Sequence, residues 1–249
     1  MKLFHRVSND PVILHPKLVF IQIPKTGSTS LYQEMIRLGL TVRVGCFRHE
    51  GIGYLQAFVR NTSQPIYAVV RNPFSHVLSY FFHQLRLGEI TLDPSQSIQQ
   101  EFRDYCRRTV PTNVHVRQCA FLHTNDSAIR DRIYYFKMED GIDNIVQYLN
   151  THHHLTMETR HENKNLIQGY NLSPQFLRDM YDKDTESWVR THLATEFSMF
   201  HYSSYLHDIG KPSVLPLGPH PYGRDRTTTF TLRPHSRCHE RVRNSFGKS

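Results

Sequence analysis

The residues able to do chemistry cluster where two apolar runs end. Leu18 to Ile23 is followed at once by Pro24, Lys25, Thr26, Gly27, Ser28, Thr29 and Ser30. Gly27 lets the backbone turn tightly. A helix starting just after it would point its first amides and its dipole outward as an anion cradle. Ser28, Thr29 and Ser30 add hydroxyl donors beside that cradle, and Lys25 adds a full positive charge. This is not the GxxxxGK[ST] arrangement, because the lysine precedes the glycine and no second glycine is present. The loop therefore suits a phosphate-like group without the usual Mg-nucleotide pattern. The bland alternative is an ordinary capped turn between strand and helix.

The second run, Pro65 to Val70, leads into Arg71, Asn72 and Pro73. Asn72 suits a helix N-cap and Pro73 the first helical position. Arg71, Ser75 and Ser79 are four apart, so they line one side of that helix. Phe74, Val77, Leu78, Phe81, Phe82 and Leu85 form its apolar face. A guanidinium with hydroxyls at a strand end suits a second phosphate.

The elements that must position these residues follow from the apolar pattern. Leu18–Ile23 reads as a strand buried on both faces, and Pro65–Val70 and Ile133–Lys137 as two further strands. Helices are predicted after the first loop, closed by Gly39, and after Asn72. Others are predicted over Ile142–Leu149, after the Ser173–Pro174 cap, and from Lys183 to Phe197 around Trp188. Strands alternating with helices predict an α/β layered domain with a central, mostly parallel sheet flanked by helices. Ligands of such sheets bind beyond the carboxyl ends of the strands, where both the Lys25 loop and Arg71 lie.

With those motifs in place, the chain resembles the PAPS-dependent sulfotransferases, which move a sulfuryl group from 3′-phosphoadenosine 5′-phosphosulfate (PAPS) to a hydroxyl or amine. Their 5′-phosphosulfate loop is similar to Pro24 through Ser30, and their 3′-phosphate motif to Arg71 through Tyr80 with Ser79. The stretches Pro65–Pro73 and Val77–Phe82 are most similar to the uronyl 2-O-sulfotransferases of heparan and dermatan/chondroitin sulfate. Weaker likeness continues at His161–Asn165, which resembles a loop closing over the nucleotide, and at Glu196–Tyr202. Glu139-Asp140 resembles a further family motif. The resemblance covers roughly residues 18–202 and implies a three-layer, P-loop-like sulfotransferase fold.

It also implies residue roles. Lys25, Thr26, Gly27, Ser28, Thr29, Ser30, Arg71, Ser79 and Lys164 would bind PAPS, the co-substrate, and no metal is needed. Sulfuryl transfer is an in-line displacement governed by positioning and electrostatics, so it needs a base on the acceptor and a cation on the leaving phosphate. Lys25 is placed for the second task. His49 lies 22 residues before Arg71, the offset of the catalytic histidine in the uronyl enzymes, and an imidazole titrates near neutrality. Glu50 is the rival base. Lys164 and Arg160 could reach the 3′-phosphate. Arg43, Arg48, His83 and Arg86 could contact an acidic acceptor, such as a polyanionic glycan.

Composition narrows the remaining classes. A chain of 249 residues with 39% hydrophobic residues can build one large core, which argues against wholesale disorder. No apolar run approaches the ~18 residues of a membrane span, and no signal-type apolar segment opens the chain. The expectation is a soluble, cytoplasmic protein, or a Golgi-lumenal one if the native N-terminus is missing. The four cysteines, Cys46, Cys106, Cys119 and Cys238, form no CxxC and no disulfide scaffold. The triplet His152, His153 and His154 has no second ligand pair and reads as a solvated loop just past a helix. The net charge of +8 sits mostly in residues 210–249, a basic, proline-punctuated tail expected to be irregular beyond a catalytic domain of residues 1–209. Two alternatives stand beside a carbohydrate O-sulfotransferase. One is a P-loop kinase of a small molecule. The other is a non-enzymatic polyanion-binding protein working through the tail; nucleic acid is not the expected partner.

Overall fold

The computed structural model describes residues 13–15, 17–40, 49–159, 173–211 and 217–222. These form a five-stranded sheet whose spatial order is the sequence order: β1 (Ile13–His15), β2 (Leu18–Ile21), β3 (Ile66–Val70), β4 (Ile133–Lys137) and β5 (His220–Pro221). The three central strands are parallel, with Val19 beside Ile66 and Ile66 beside Ile133. Both edges are antiparallel. The helices are α1 (Ser28–Arg37), α2 (Ile52–Val59), α3 (Pro73–Arg86), α4 (Ile98–Thr109), α5 (Gln118–Leu122), α6 (Ser127–Arg130), α7 (Ile142–His153), α8 (Pro174–Met180), α9 (Lys183–His192) and α10 (Ala194–Met199). The architecture is α/β, as the alternation of apolar runs predicts.

The continuous apolar runs are explained by burial on both faces of the sheet. Val19, Ile21, Ala68, Val70 and Tyr135 pack with Ile52, Leu55 and Val59 of α2 and with Phe121 of α5. Leu18, Phe20, Tyr67, Val69 and Phe136 face the other way, against Leu31 and Met35 of α1 and Ile145 and Leu149 of α7. A third cluster joins the phenylalanine stripe of α3 to α4, α8 and α9. Phe74, Phe81, Phe82 and Phe102 are fully buried there, each stabilising the fold by ~1.5–3 kcal/mol. That packing makes α3, which carries Arg71 at its entrance, a rigid element.

Local signals act as expected at several boundaries. Asn72 caps α3, its side-chain oxygen accepting from the Phe74 amide at 3.0 Å, and Pro73 takes the first position. Ser173 caps α8 in the same way, at 3.1 Å. Gly39 turns left-handed after α1.

Elsewhere the structure differs. The helix expected over Lys183–Phe197 breaks at Leu193, whose backbone leaves helical geometry between α9 and α10. The helix expected to end at Leu149 continues to His153, so His152 and His153 sit on its last turn rather than in a loop. There His153 Nε2 lies 3.0 Å from the Tyr67 hydroxyl, and His152 stacks on Tyr148. Within the stretch expected to be irregular, β5 pairs with Tyr134 and Tyr135, and Tyr222 is buried with Phe200 and Cys119. The sheet edge attracts this segment because β4 would otherwise leave unpaired backbone groups along an apolar flank. No described helix is long and apolar enough to cross a membrane.

Candidate functional site

The carboxyl ends of β2, β3 and β4 lie side by side, and each runs into a turn that carries polar side chains. After β2 comes the Lys25 loop, after β3 the Arg71–Asn72 pair, and after β4 a 3₁₀ turn over Met138–Asp140. Gly27 ends the first loop with φ 75° and stands as the N-cap of α1. A Cβ there would meet the Met138 methyl at 3.3 Å and Ile142 at 3.5 Å, so both backbone angle and space demand glycine. Gly27 has no side chain to cap the first amides of α1, and the first turn holds no acidic residue.

The loop is fixed by its carbonyl oxygens, four of them in succession. The Gln22 carbonyl accepts from His49 Nδ1 at 2.9 Å. The Ile23 carbonyl accepts from the hydroxyls of Thr26 and Ser28, at 2.9 and 3.0 Å. The Pro24 carbonyl accepts from His76 Nε2 at 2.8 Å, and that of Lys25 from Arg71 Nη1 at 3.2 Å. Ser28, expected to offer its hydroxyl to a ligand, instead turns it inward, as Thr26 does, because a buried carbonyl needs a partner. Their backbone amides are not consumed by those bonds. Thr29 and Ser30, on the first turn of α1, are half-buried.

Arg71 is almost fully buried, and its backbone is clamped. Its N–H donates to Gln118 Oε1 at 2.8 Å, and its carbonyl accepts from Gln118 Nε2 at 2.7 Å, so one side-chain amide imitates a strand partner. The next amide, of Asn72, donates to Glu139 Oε1 at 2.9 Å, while the Tyr202 hydroxyl donates to Glu139 Oε2 at 2.7 Å. Burial pushes the Arg71 guanidinium below its ordinary pKa, and Glu139, with Tyr202, offsets only part of that shift. Ser75 and Ser79 lie buried further along α3.

The charge around Lys25 is strongly positive. Burial, and then Arg86 and Arg71, push the Lys25 amine down to about 8. Burial, Lys25, Arg86 and His49 push His83 down to about 4, which keeps it neutral, and Arg86 Nη2 lies 3.1 Å from its Nδ1. His49, His83, Lys25 and Arg86 therefore share one field. Glu50, half-buried, has its carboxyl raised by desolvation. A carbonyl can only accept, so the bond to Gln22 puts the proton of neutral His49 on Nδ1 and the lone pair on Nε2. Arg43, Arg48, Arg160, the His161–Asn165 stretch and Lys164 lie outside the described residues.

Thus the Lys25 loop, His49 and Arg71 are held as one unit, joined by Glu139 and Tyr202, whose segments the sequence had marked. Gln118 and His76 were missed. His76 sits on the predicted α3 near Arg71, so its helical position was the available clue; Gln118 offers none. Comparison of the chain with known protein families, curated proteins and solved structures finds no match to any.

Proposed function

We propose that this chain is a PAPS-dependent O-sulfotransferase acting on a carbohydrate hydroxyl. One observation carries the reading: the Arg71 guanidinium rests on the carbonyl of Lys25, 3.2 Å away. Two cationic sites at neighbouring strand ends thus adjoin, and a single ligand with two anionic groups can span them. PAPS has that form, with the loop and Lys25 taking the phosphosulfate end and Arg71 the 3′-phosphate.

The residues divide the reaction between them. His49 Nε2 takes the acceptor proton as the acceptor oxygen bonds to sulfur and the bond from sulfur to phosphate oxygen breaks. Glu50 is the alternative base, its carboxyl made more basic by burial. Lys25, protonated at neutral pH, neutralises charge growing on the departing phosphate oxygen. Arg86 and His83 face the same field and suit an acidic carbohydrate.

Transfer of labelled sulfuryl from PAPS to a panel of glycans tests the activity, and calorimetry with 3′-phosphoadenosine 5′-phosphate (PAP) tests the site. PAP binding without Mg²⁺ and transfer to at least one glycan are expected. Binding of Mg-ATP in place of PAP would refute the reading. Arg71→Ala should weaken PAP at least about tenfold more than adenosine 5′-phosphosulfate, since a charge-assisted hydrogen bond contributes ~1.5–3 kcal/mol and only PAP carries the 3′-phosphate. Equal losses would remove Arg71 from that role.

A further inference from the structure

Lys25 is one of three non-glycine residues with positive φ among those described, at 63°. Such a turn is unfavourable for a lysine and persists only where its surroundings enforce it. The carbonyls on either side of the Lys25 nitrogen and Cα, those of Pro24 and Lys25, are each gripped from the β3–α3 segment, by His76 and Arg71. Arg71 has other work if it meets a phosphate. His76 is completely buried, in the first turn of α3, where its ring faces the Val116 backbone as well as the Pro24 carbonyl, and it cannot touch a ligand.

We propose that His76 is a positioning residue, whose hydrogen bond to the Pro24 carbonyl holds Lys25 in its left-handed turn and so aims the loop at the phosphosulfate end of the nucleotide. The inference rests on the proposed function for its ligand, though not for the geometry. Burial lowers the imidazole pKa to about 4, so the ring is neutral at physiological pH and donates through Nε2–H. A cationic side chain at this place would repel Lys25 and Arg71, and an anionic or apolar one would leave the Pro24 carbonyl without a donor. A neutral buried donor of imidazole length meets both demands.

The test compares His76→Leu, which removes the donor, with His76→Gln, whose amide nitrogen sits near the position of Nε2. Where the Leu variant fails to fold, His76→Asn, too short to reach Pro24, replaces it. The conformation is read first, without ligand, from the intra-residue amide–Hα cross-peak of Lys25 in NMR, which is strong only at positive φ. It should be strong in the wild type and in His76→Gln, and weak in the donor-less variant. Affinities are then compared for adenosine 5′-phosphosulfate and adenosine 3′-phosphate. The donor-less variant should lose at least about tenfold for the first and less than about twofold for the second, with Gln restoring most of the loss. An unchanged Lys25 cross-peak, or equal losses for both ligands, would overturn the proposal. If the wild type binds neither adenosine phosphate, the nucleotide reading falls, while the cross-peak still decides whether His76 sets the turn.

Discussion

The lowered pKa of Lys25 makes ligand affinity depend on pH in a calculable way. The free amine is pushed from 10.5 to about 8 by burial and by the charges of Arg86 and Arg71. A bound phosphate or sulfate supplies the missing counter-charge and returns the pKa towards its ordinary value. Binding then takes up a proton above pH 8, and affinity falls as pH rises. The loss approaches tenfold per pH unit until the pKa of the bound state is reached. With a bound-state value of ~10.5, PAP should bind roughly 30-fold more weakly at about pH 9.5 than at about pH 7, by proton linkage. Arginines remain charged, the ligand's phosphates are already fully ionised, and His83, held near 4, is neutral throughout. Calorimetry across this range measures the slope directly. Lys25→Arg should bind with a flat profile, and Lys25→Met should be flat and weaker. A flat wild-type profile, or the same slope in Lys25→Met, would refute the reasoning.

Three further outcomes follow from the same geometry. His49→Ala should lower kcat by ~10²–10⁴-fold, the range for a positioned base. PAP affinity should shift less than about tenfold, since the bond to the Gln22 carbonyl is lost while the Ile23, Pro24 and Lys25 carbonyls keep their donors; near-normal turnover, with Glu50→Gln inactive, would move the role to Glu50. Gln118→Leu leaves two buried backbone groups of Arg71 unpaired, at ~1–3 kcal/mol each. At ~2–4 °C per kcal/mol, Tm should drop by about 4–24 °C, and a change under ~1 °C in a thermal melt would show the clamp to be dispensable. Tyr222→Ala should destabilise by ~3–5 kcal/mol in denaturant unfolding, as loss of a buried ring does; an unchanged midpoint would detach the returning strand from the core.

Much of the frame was legible because burial on both faces leaves an unmistakable mark. β2, β3 and β4 are runs of apolar residues, and Asn72, Pro73, Ser173 and Gly39 act through local backbone geometry that depends on their own chemistry. The loop at Lys25 and the arginine at the end of β3 were legible for the same reason. The edge strands were not, since three residues and two residues carry no periodicity. The break at Leu193 was hidden too, because no glycine or proline marks it and the apolar spacing continues through it. The clamps were the least visible. Gln118 reaches Arg71 across 47 positions and Glu139 reaches Asn72 across 67, so only the folded chain brings them together. The Ser28 hydroxyl was placed on the right loop, but its direction, like that of Thr26, was set by the need of the Ile23 carbonyl.

The four engaged carbonyls of residues 22–25 have a consequence for how the chain meets proteases. A lysine in a glycine-containing turn ordinarily invites tryptic cleavage, because such turns can peel away and thread through an active site as an extended strand. Here peeling would require releasing donors from the segments around residues 26–28, 49, 71 and 76 together. Two of those donors, Arg71 and His76, are rooted in the buried β3–α3 segment, so the loop opens only when that part of the core releases it. The peptide bond after Lys25 therefore shares the protection of the sheet rather than of the surface.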